Sequence, residues 1–246
     1  MNRDQSLAQL LAGDMPERYL RNLGTLGIAG QLALLKARVA VVGVGGLGGL
    51  AIELLARQGI GYLTVVDGDF FTCHNLNRQI LATAHTLGMN KAIAAVSRVA
   101  EINPDVQVTA VPEMLTSDNA AEILSGVDVI VDALDSISSR RILFQTAQQM
   151  VVPLVHAAIA GFTGQVSTIL PGDHGVSSIF ARPNESDHGI ESILGNPAVT
   201  PAVAAALQVQ ETVKLITGVG KPLSRQMLYF DLEYNLFEII QLGEKE

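Results

Sequence analysis

A glycine-rich loop between a strand and a helix is the feature that most constrains the fold of this chain. Residues 38–42 (RVAVV) predict a buried strand, and residues 47–58 (LGGLAIELLARQ) predict the helix after it. The glycines of the G-x-G-x-x-G loop between them are Gly43, Gly45, Gly46 and Gly48. Such glycines let backbone N–H groups approach a phosphate or a ribose at a helix N-terminus. The loop therefore indicates a nucleotide site, but it does not say which nucleotide.

Predicted strands and helices alternate after this loop. The strands are 62–66, 106–111, 127–131 and 153–156, and the helices are 88–102, 117–125 and 138–149. This alternation is typical of parallel βαβ units, so we predict an α/β fold with a Rossmann-like, doubly wound, mainly parallel sheet. The later strand-like runs are 164–170, 177–181, 226–231 and 234–241, with one helix at 200–218. Those runs predict an antiparallel C-terminal extension of the same sheet.

We predict a single domain over residues 1–246, because no repeat, low-complexity tract or linker divides the chain. Residues 4–36 predict a helical N-terminal segment, and residues 182–199 predict a long polar loop. The chain is 48% hydrophobic but only 4% aromatic. This composition suits a sheet of small aliphatic side chains that is covered by helices on both faces.

Charge, cysteine content and hydropathy exclude several classes of function. The formal net charge of −8 is the opposite of what a non-specific nucleic-acid binder needs. Cys73 is the only cysteine, which rules out an internal disulfide and a thiolate zinc site. The N-terminus shows no secretory apolar region, and no run of 18 uncharged apolar residues predicts a membrane span. We expect a cytoplasmic protein that binds neither membranes nor nucleic acid.

Charged side chains follow the second predicted strand at its carboxyl end. Asp67 stands about 20 residues beyond the glycine loop, where an acidic residue binds ribose hydroxyls. Arg78 and Lys91 come shortly afterwards, and ligands of open α/β sheets bind at this edge. A redox dinucleotide has only a pyrophosphate to neutralise, so this number of cations fits a triphosphate better. Taken singly, each cation could equally be a solvated surface charge.

A second acidic segment, Asp132-Ala-Leu-Asp135, follows the predicted strand 127–131 at the same edge of the sheet. A carboxylate beside phosphates is the expected Mg²⁺ ligand, because Mg²⁺ takes one or two protein carboxylates together with phosphate oxygens. The alternative is structural, since Asp135 or Ser136 could cap the helix 138–149.

These motifs together resemble the ThiF/MoeB/HesA family, bacterial relatives of ubiquitin-activating enzymes. The matching pieces are RYLRN (18–22), GVGGLG (43–48), DGD (67–69), NLNRQ (75–79), Lys91, INP (102–104), DALDS (132–136) with Arg140, and KLITG (214–218). The resemblance implies an adenylyltransferase that uses ATP and Mg²⁺. Its substrate would be the C-terminal glycine carboxylate of a small ubiquitin-like sulfur-carrier protein that ends in Gly-Gly. Its products would be the acyl-adenylate of that carrier and pyrophosphate.

The resemblance also implies a set of site residues and a homodimer. The implied nucleotide-binding residues are Gly43, Gly45, Gly46, Gly48, Asp67, Asp69, Asn75, Arg78, Lys91, Asp132 and Asp135, with Asp135 as the Mg²⁺ ligand. The implied catalytic residues are Arg21, Arg78, Lys91 and Asp135. Arg21 resembles an arginine finger that reaches the triphosphate of the partner subunit, so residues 1–36 are expected to contribute to the dimer.

The chain departs from the family pattern at two places. Many relatives hold a structural zinc with two C-x-x-C pairs, and the first pair should fall at 175–178, which reads GVSS here. We therefore expect no zinc. Some relatives carry a cysteine in the loop before the last helix, whereas residues 191–197 (ESILGNP) contain none. We expect adenylation alone, without transfer to a cysteine of that loop.

Three alternatives remain open from the sequence. An NAD-dependent Rossmann oxidoreductase explains the glycine loop and Asp67 but leaves Arg21, Arg78 and Lys91 without a role. An enzyme like the tRNA threonylcarbamoyladenosine dehydratases also adenylates a carboxylate, but the net charge of −8 argues against a tRNA substrate. A non-catalytic partner subunit that only binds a carrier is the third alternative, and the intact set of cations argues against it. The residues leave the pathway open, and thiamine synthesis and molybdopterin synthesis are two of the candidates.

Overall fold

A computed structural model describes residues 3–173 and 189–242 of the protein. Its α-helices are α1 (Arg3–Leu11), α2 (Leu23–Lys36), α3 (Gly46–Gln58), α4 (Lys91–Ile102), α5 (Ala120–Ile123), α6 (Ile137–Met150), α7 (Glu191–Leu194) and α8 (Val199–Thr217). Its strands are β1 (Arg38–Val42), β2 (Tyr62–Val66), β3 (Gln107–Val111), β4 (Val129–Asp132), β5 (Leu154–Ala160), β6 (Thr163–Ile169), β7 (Gln226–Asp231) and β8 (Leu236–Gln241). Two short 3₁₀ helices cover Glu17–Asn22 and Cys73–Asn75.

The strands form one eight-stranded sheet in the order β3-β2-β1-β4-β5-β6-β7-β8. The pairs from β3 to β5 are parallel, and the pairs from β5 to β8 are antiparallel. The strand order reverses direction at β1, because β2 and β3 lie on one side of it and β4 and β5 on the other. The predicted doubly wound, mainly parallel sheet with an antiparallel C-terminal extension is confirmed.

Apolar side chains are buried on both faces of the central strands β1 and β4. Val39 and Val41 of β1 pack towards α3, α4 and α8, while Ala40 and Val42 face the layer that contains α5 and α6. Each of these four side chains is at most 1% exposed. A strand that is buried on both faces reads as a continuous apolar run, which explains why RVAVV predicted it correctly.

The register of β1 places three loops side by side. Val42 pairs with Val66 of β2 on one side and with Asp132 of β4 on the other. The residues that follow these three are Gly43, Asp67 and Ala133. They leave the sheet together at its carboxyl edge, at the point where the strand order reverses. Ligands of open α/β sheets bind in the crevice at such a switch point.

The structure refines several predicted boundaries. The helical segment predicted at 4–36 is interrupted, because the chain turns at Gly13, where φ is 88°, and α2 is kinked at Gly27, where φ is 63°. The helix predicted at 117–125 contains only four α-helical residues. The strand predicted at 153–156 extends to Ala160 because β6 pairs with it along its whole length. The predicted strand 177–181 and the GVSS segment at 175–178 lie outside the described residues.

Candidate active site

The glycine loop packs too closely against its neighbours to carry side chains. Gly43 has a φ of 95°, and a Cβ atom there would lie 2.4 Å from the carbonyl oxygen of Ala133. A Cβ atom at Gly48 would lie 1.8 Å from the carbonyl oxygen of Gly43. The glycines thus allow β1, the first turn of α3 and the loop after β4 to meet. Because α3 begins at Gly46, the free N–H groups of its first turn lie at the carboxyl edge of the sheet.

Asp67 connects the end of β2 to the glycine loop. Its Oδ2 accepts a hydrogen bond from the backbone N–H of Val44 at 2.7 Å, and its Oδ1 accepts one from the N–H of Asp69 at 2.8 Å. Burial raises the pKa of Asp67, although nearby Lys91 and the two backbone N–H groups act in the opposite direction. Each carboxylate oxygen accepts more than one hydrogen bond, so both keep capacity for ribose hydroxyls.

Lys91 is held at the start of α4 with its amine towards the cleft. The side chain is 9% exposed, and Nζ lies 3.1 Å from Oδ2 of Asp69. The preceding residue, Asn90, donates from Nδ2 to the carbonyl oxygens of Asp67 and Asp69 and caps α4 through Oδ1. Lys91 and the acidic loop 67–69 are therefore joined into one hydrogen-bonded unit.

Arg78 lies on the segment between β2 and α4, and it lines the same cleft. Its Nη1 donates to the carbonyl oxygen of His74 and to Oδ1 of Asn77, which orients the guanidinium. Asn75 takes a different position from the one expected. It is 3% exposed, its Oδ1 accepts the backbone N–H of Thr72 at 2.9 Å, and it does not belong to the lining of the cleft.

Asp135 and Asp132 point in different directions although both follow β4. Asp135 is exposed and lines the cleft. Asp135 does not cap α6, because Ser136 does so: its Oγ accepts a hydrogen bond from the N–H of Ser139. Asp132 is 1% exposed and contacts Nδ1 of His156 at 2.7 Å, so it lies beneath the loop and not in the cleft lining.

Gln79 and Arg140 are two of the cleft residues that were not identified as site residues from the sequence; Ser139 and Asn196 are others. Gln79 is 5% exposed and lines the cleft, and its buried Oε1 has no hydrogen-bond partner among the described residues. Arg140 lines the cleft from α6, between the loop after β4 and the strand β5. Both residues belong to the quoted motifs, but their burial against the cleft depends on how α6 and the segment after β2 pack.

Arg21 lies far from the cleft of its own chain. Its neighbour Tyr19 accepts a hydrogen bond from Asn103 at the end of α4, and the Tyr19 ring packs against Gly59 at the end of α3. The glycine loop lies at the other end of α3, whose 13 residues span about 20 Å. Arg21 is therefore at the amino edge of the sheet, opposite the cleft, and its side chain is exposed.

Cys73 is free and exposed, and it does not line the cleft. Among residues 3–173 and 189–242, no three side chains of His, Cys, Asp or Glu are grouped so that they could hold a metal ion by themselves. None of the helices in those ranges is long and apolar enough to cross a membrane. A single carboxylate such as Asp135 still suits Mg²⁺, because phosphate oxygens and water complete its coordination.

Comparison with known proteins decides the family. The model of the ThiF family matches residues 19–246. The chain belongs to the ThiF family. It is 36% identical to the "SAMP-activating enzyme E1" of Haloferax volcanii over 91% of this chain and 84% of that protein. It is also 36% identical to the "Sulfur carrier protein adenylyltransferase" of Thermus thermophilus, over 87% of this chain and 83% of that one.

Solved structures of ThiF-like proteins share the fold. The crystal structure of E. coli MccB with MccA-N7isoASN superposes with a TM-score of 0.80 at 22% identity, covering 93% of this chain and 72% of that one. At this identity the likeness establishes the fold alone. The named ThiF relatives confirm the predicted enzyme class, an adenylyltransferase.

Proposed function

We propose that this ThiF-family protein adenylates the C-terminal glycine carboxylate of a small ubiquitin-like sulfur-carrier protein that ends in Gly-Gly. The reaction uses ATP and releases pyrophosphate, and it prepares the carrier for sulfur transfer in thiamine, molybdopterin or related biosynthesis. One observation carries the proposal: Arg78, Lys91 and Asp135 line a single cleft with the glycine loop, at the switch point of the sheet.

The charges of the cleft suit this reaction. A carboxylate must attack an α-phosphate, and both groups are negative, so the protein must supply cations and positioning. No side chain has to act as a nucleophile, because the substrate carboxylate is one. Lys91 and Arg78 supply positive charge on the β2 side of the cleft. The glycine loop and Asp67 suit the adenosine part of ATP, with the first turn of α3 beside them.

Asp135 is the residue that would hold Mg²⁺, because its exposed carboxylate lines the cleft and is not needed as a helix cap. Bound there, Mg²⁺ would neutralise phosphate charge. Arg78 and Lys91 bind and orient the triphosphate, and Asp69 holds the amine of Lys91 in place at 3.1 Å. Gln79 adds a buried amide next to the glycine loop.

Arg21 supports a homodimer as the active form. An arginine about 20 Å from its own cleft cannot act there, since 13 residues of α3 separate the two. An exposed arginine at the opposite edge is free to enter the cleft of a second copy, whose own Arg21 would return the contact under two-fold symmetry. The hydrogen bond from Asn103 to the hydroxyl of Tyr19 fixes the 3₁₀ helix Glu17–Asn22, and with it the position of Arg21.

Carrier-dependent exchange of ³²P between pyrophosphate and ATP tests the function. Purified protein is assayed with Mg²⁺, ATP and each small protein with a Gly-Gly terminus that is encoded near its gene. We expect exchange with one such protein and none when its last two glycines are removed. Absence of exchange with every candidate would remove the proposed function. Tight binding of NAD without binding of ATP would favour the oxidoreductase, and exchange that depends on tRNA would favour the dehydratase.

A further inference from the structure

Arg140 is a cleft residue whose hydrogen-bonding capacity is only partly used. Its Nη2 donates to the carbonyl oxygens of Leu134 and Ala157. Its Nε lies 3.8 Å from Oδ2 of Asp132, which is an ion pair but not a hydrogen bond. Among the described residues, its Nη1 and Nε therefore have no hydrogen-bond acceptor. The side chain is only 16% exposed, so this cation is largely withdrawn from water.

A buried hydrogen-bond network holds the Arg140 guanidinium in position. The carboxylate of Asp132 is 2% exposed and is fixed by Nδ1 of His156 at 2.7 Å and by the N–H of Leu134 at 3.1 Å. Arg140 forms an ion pair with the same carboxylate and donates hydrogen bonds to the carbonyl oxygens of Leu134 and Ala157. A guanidinium held in this way loses little freedom when an anion binds, which favours binding.

A groove on the antiparallel part of the sheet adjoins the cleft that Arg140 lines. It runs along β5 and β6 past Gly164, Gln165 and Tyr229, and it shares Ala158 and Ile159 with the cleft. The pairing of β4 with β5 ends at His156, so the residues after it in β5 have β6 as a strand neighbour on one side and no described strand on the other. On that side the carbonyl oxygen of Ala157 already accepts from Arg140 and the N–H of Gly161 donates to the carbonyl oxygen of Gly195, so an extended peptide that follows the groove can pair with the backbone between these two residues.

The cations of the cleft are therefore divided between two walls. Arg78 and Lys91 lie on the side of β2 and α4, next to the glycine loop. Arg140 lies on the side of β4 and β5, where the groove enters. A peptide end that arrives through the groove meets Arg140 first, whereas the phosphates of a nucleotide at the start of α3 lie nearest to the other two.

We propose that Arg140 binds the terminal carboxylate of the carrier and orients it towards the α-phosphate of ATP. This inference rests on the proposed function and adds a substrate-binding residue to it. One carboxylate oxygen is held by the guanidinium, and the other forms the bond to the α-phosphorus. The bond between the α-phosphorus and the oxygen bridging to the β-phosphate breaks, and pyrophosphate leaves with that electron pair. No proton is transferred and no group is oxidised.

The test compares two forms of the carrier that supports exchange, one with its native carboxylate and one with a terminal carboxamide. Affinity is measured with Mg²⁺ and an ATP analogue that has a methylene bridge between the α- and β-phosphates. A charge-assisted hydrogen bond contributes about 1.5–3 kcal/mol, so wild type should prefer the carboxylate by about 10- to 150-fold. Arg140→Gln should reduce this preference to about twofold and leave the affinity for the analogue unchanged.

Two further variants separate charge from structure. Arg140→Lys keeps the positive charge but not the planar fork, so it should retain part of the preference. Arg141→Gln changes the next residue of α6, which is outside the cleft lining, and should retain all of it. Equal weakening of both carrier forms by Arg140→Gln, with the preference intact, would overturn the inference and leave the proposed function standing. Failure of every carrier to support exchange would instead overturn both.

Discussion

Gly48→Ala tests whether the glycine loop is required by close packing, as the structure indicates. The new Cβ atom would lie 1.8 Å from the carbonyl oxygen of Gly43 and 3.1 Å from Cβ of Ala133. The first contact is with backbone, which cannot rotate away as a side chain can. The loop must therefore move, and with it the backbone N–H groups at the start of α3.

The expected cost combines two opposing terms. Overpacking costs about 1–3 kcal/mol, and a backbone contact this close belongs at the upper end of that range. Alanine is favoured over glycine inside a helix by about 1 kcal/mol, which offsets part of the cost. The net loss of stability is about 2 kcal/mol, which lowers the Tm of a chain of this size by roughly 4–8 °C. Loss of one hydrogen bond to the nucleotide would weaken ATP binding about tenfold.

Gly49→Ala is the matched control in the same helix. Its Cβ atom would meet Cγ of Leu81 at 3.3 Å, a side-chain contact that can relax. We expect its stability to stay within about 1 kcal/mol of wild type, because the gain in helix propensity offsets the tighter contact. Urea denaturation and calorimetric titration with ATP measure both quantities. If Gly48→Ala matches Gly49→Ala in stability and in ATP affinity, the packing argument is wrong.

The remaining predictions concern catalysis, assembly and pH. Arg78→Ala and Asp135→Ala should each lower the kcat of exchange by about 10²-fold, whereas Lys221→Ala, at an exposed position outside the cleft lining, should not change it. Equal kcat values for all three would exclude both residues from the mechanism. Inactive Arg21→Ala and Arg78→Ala proteins, once mixed and reassociated, should regain about a quarter of wild-type activity, because half of the dimers are mixed and each has one intact site. No recovery after subunit exchange would contradict the shared site. Because burial raises the pKa of Asp67, adenosine affinity should be constant above that pKa and fall as the pH decreases through it, at a higher pH than an ordinary aspartate would require. Asp67→Asn should remove this pH dependence, and an unchanged profile would assign it to another group.

Local sequence patterns were sufficient to predict the parallel part of the fold. The strands β1 and β2 have the predicted bounds, because each is a short, mainly apolar run with clear ends; β1 is buried after Arg38, and β2 is buried at Leu63, Val65 and Val66. The glycine loop and Asp67 were identified for a similar reason, since close backbone approach and a strand-end carboxylate each require particular residue types. The start of α4 was predicted at residue 88 but lies at Lys91. Asn90 caps the helix through Oδ1, and its Nδ2 donates to the distant loop at 67–69, a contact that local pattern does not reveal.

Residue types in a fixed order determined the sheet class, the nucleotide loop and the set of cations and carboxylates. Tertiary structure decided which of these residues share a cleft. Asn75 and Asp132 are turned to hydrogen-bond partners within the chain, and Arg21 is placed at the opposite edge of the sheet. Arg140 and Gln79 enter the cleft through the packing of α6 and of the segment after β2. The direction of a side chain depends on partners distant in the chain, and local pattern carries no information about them.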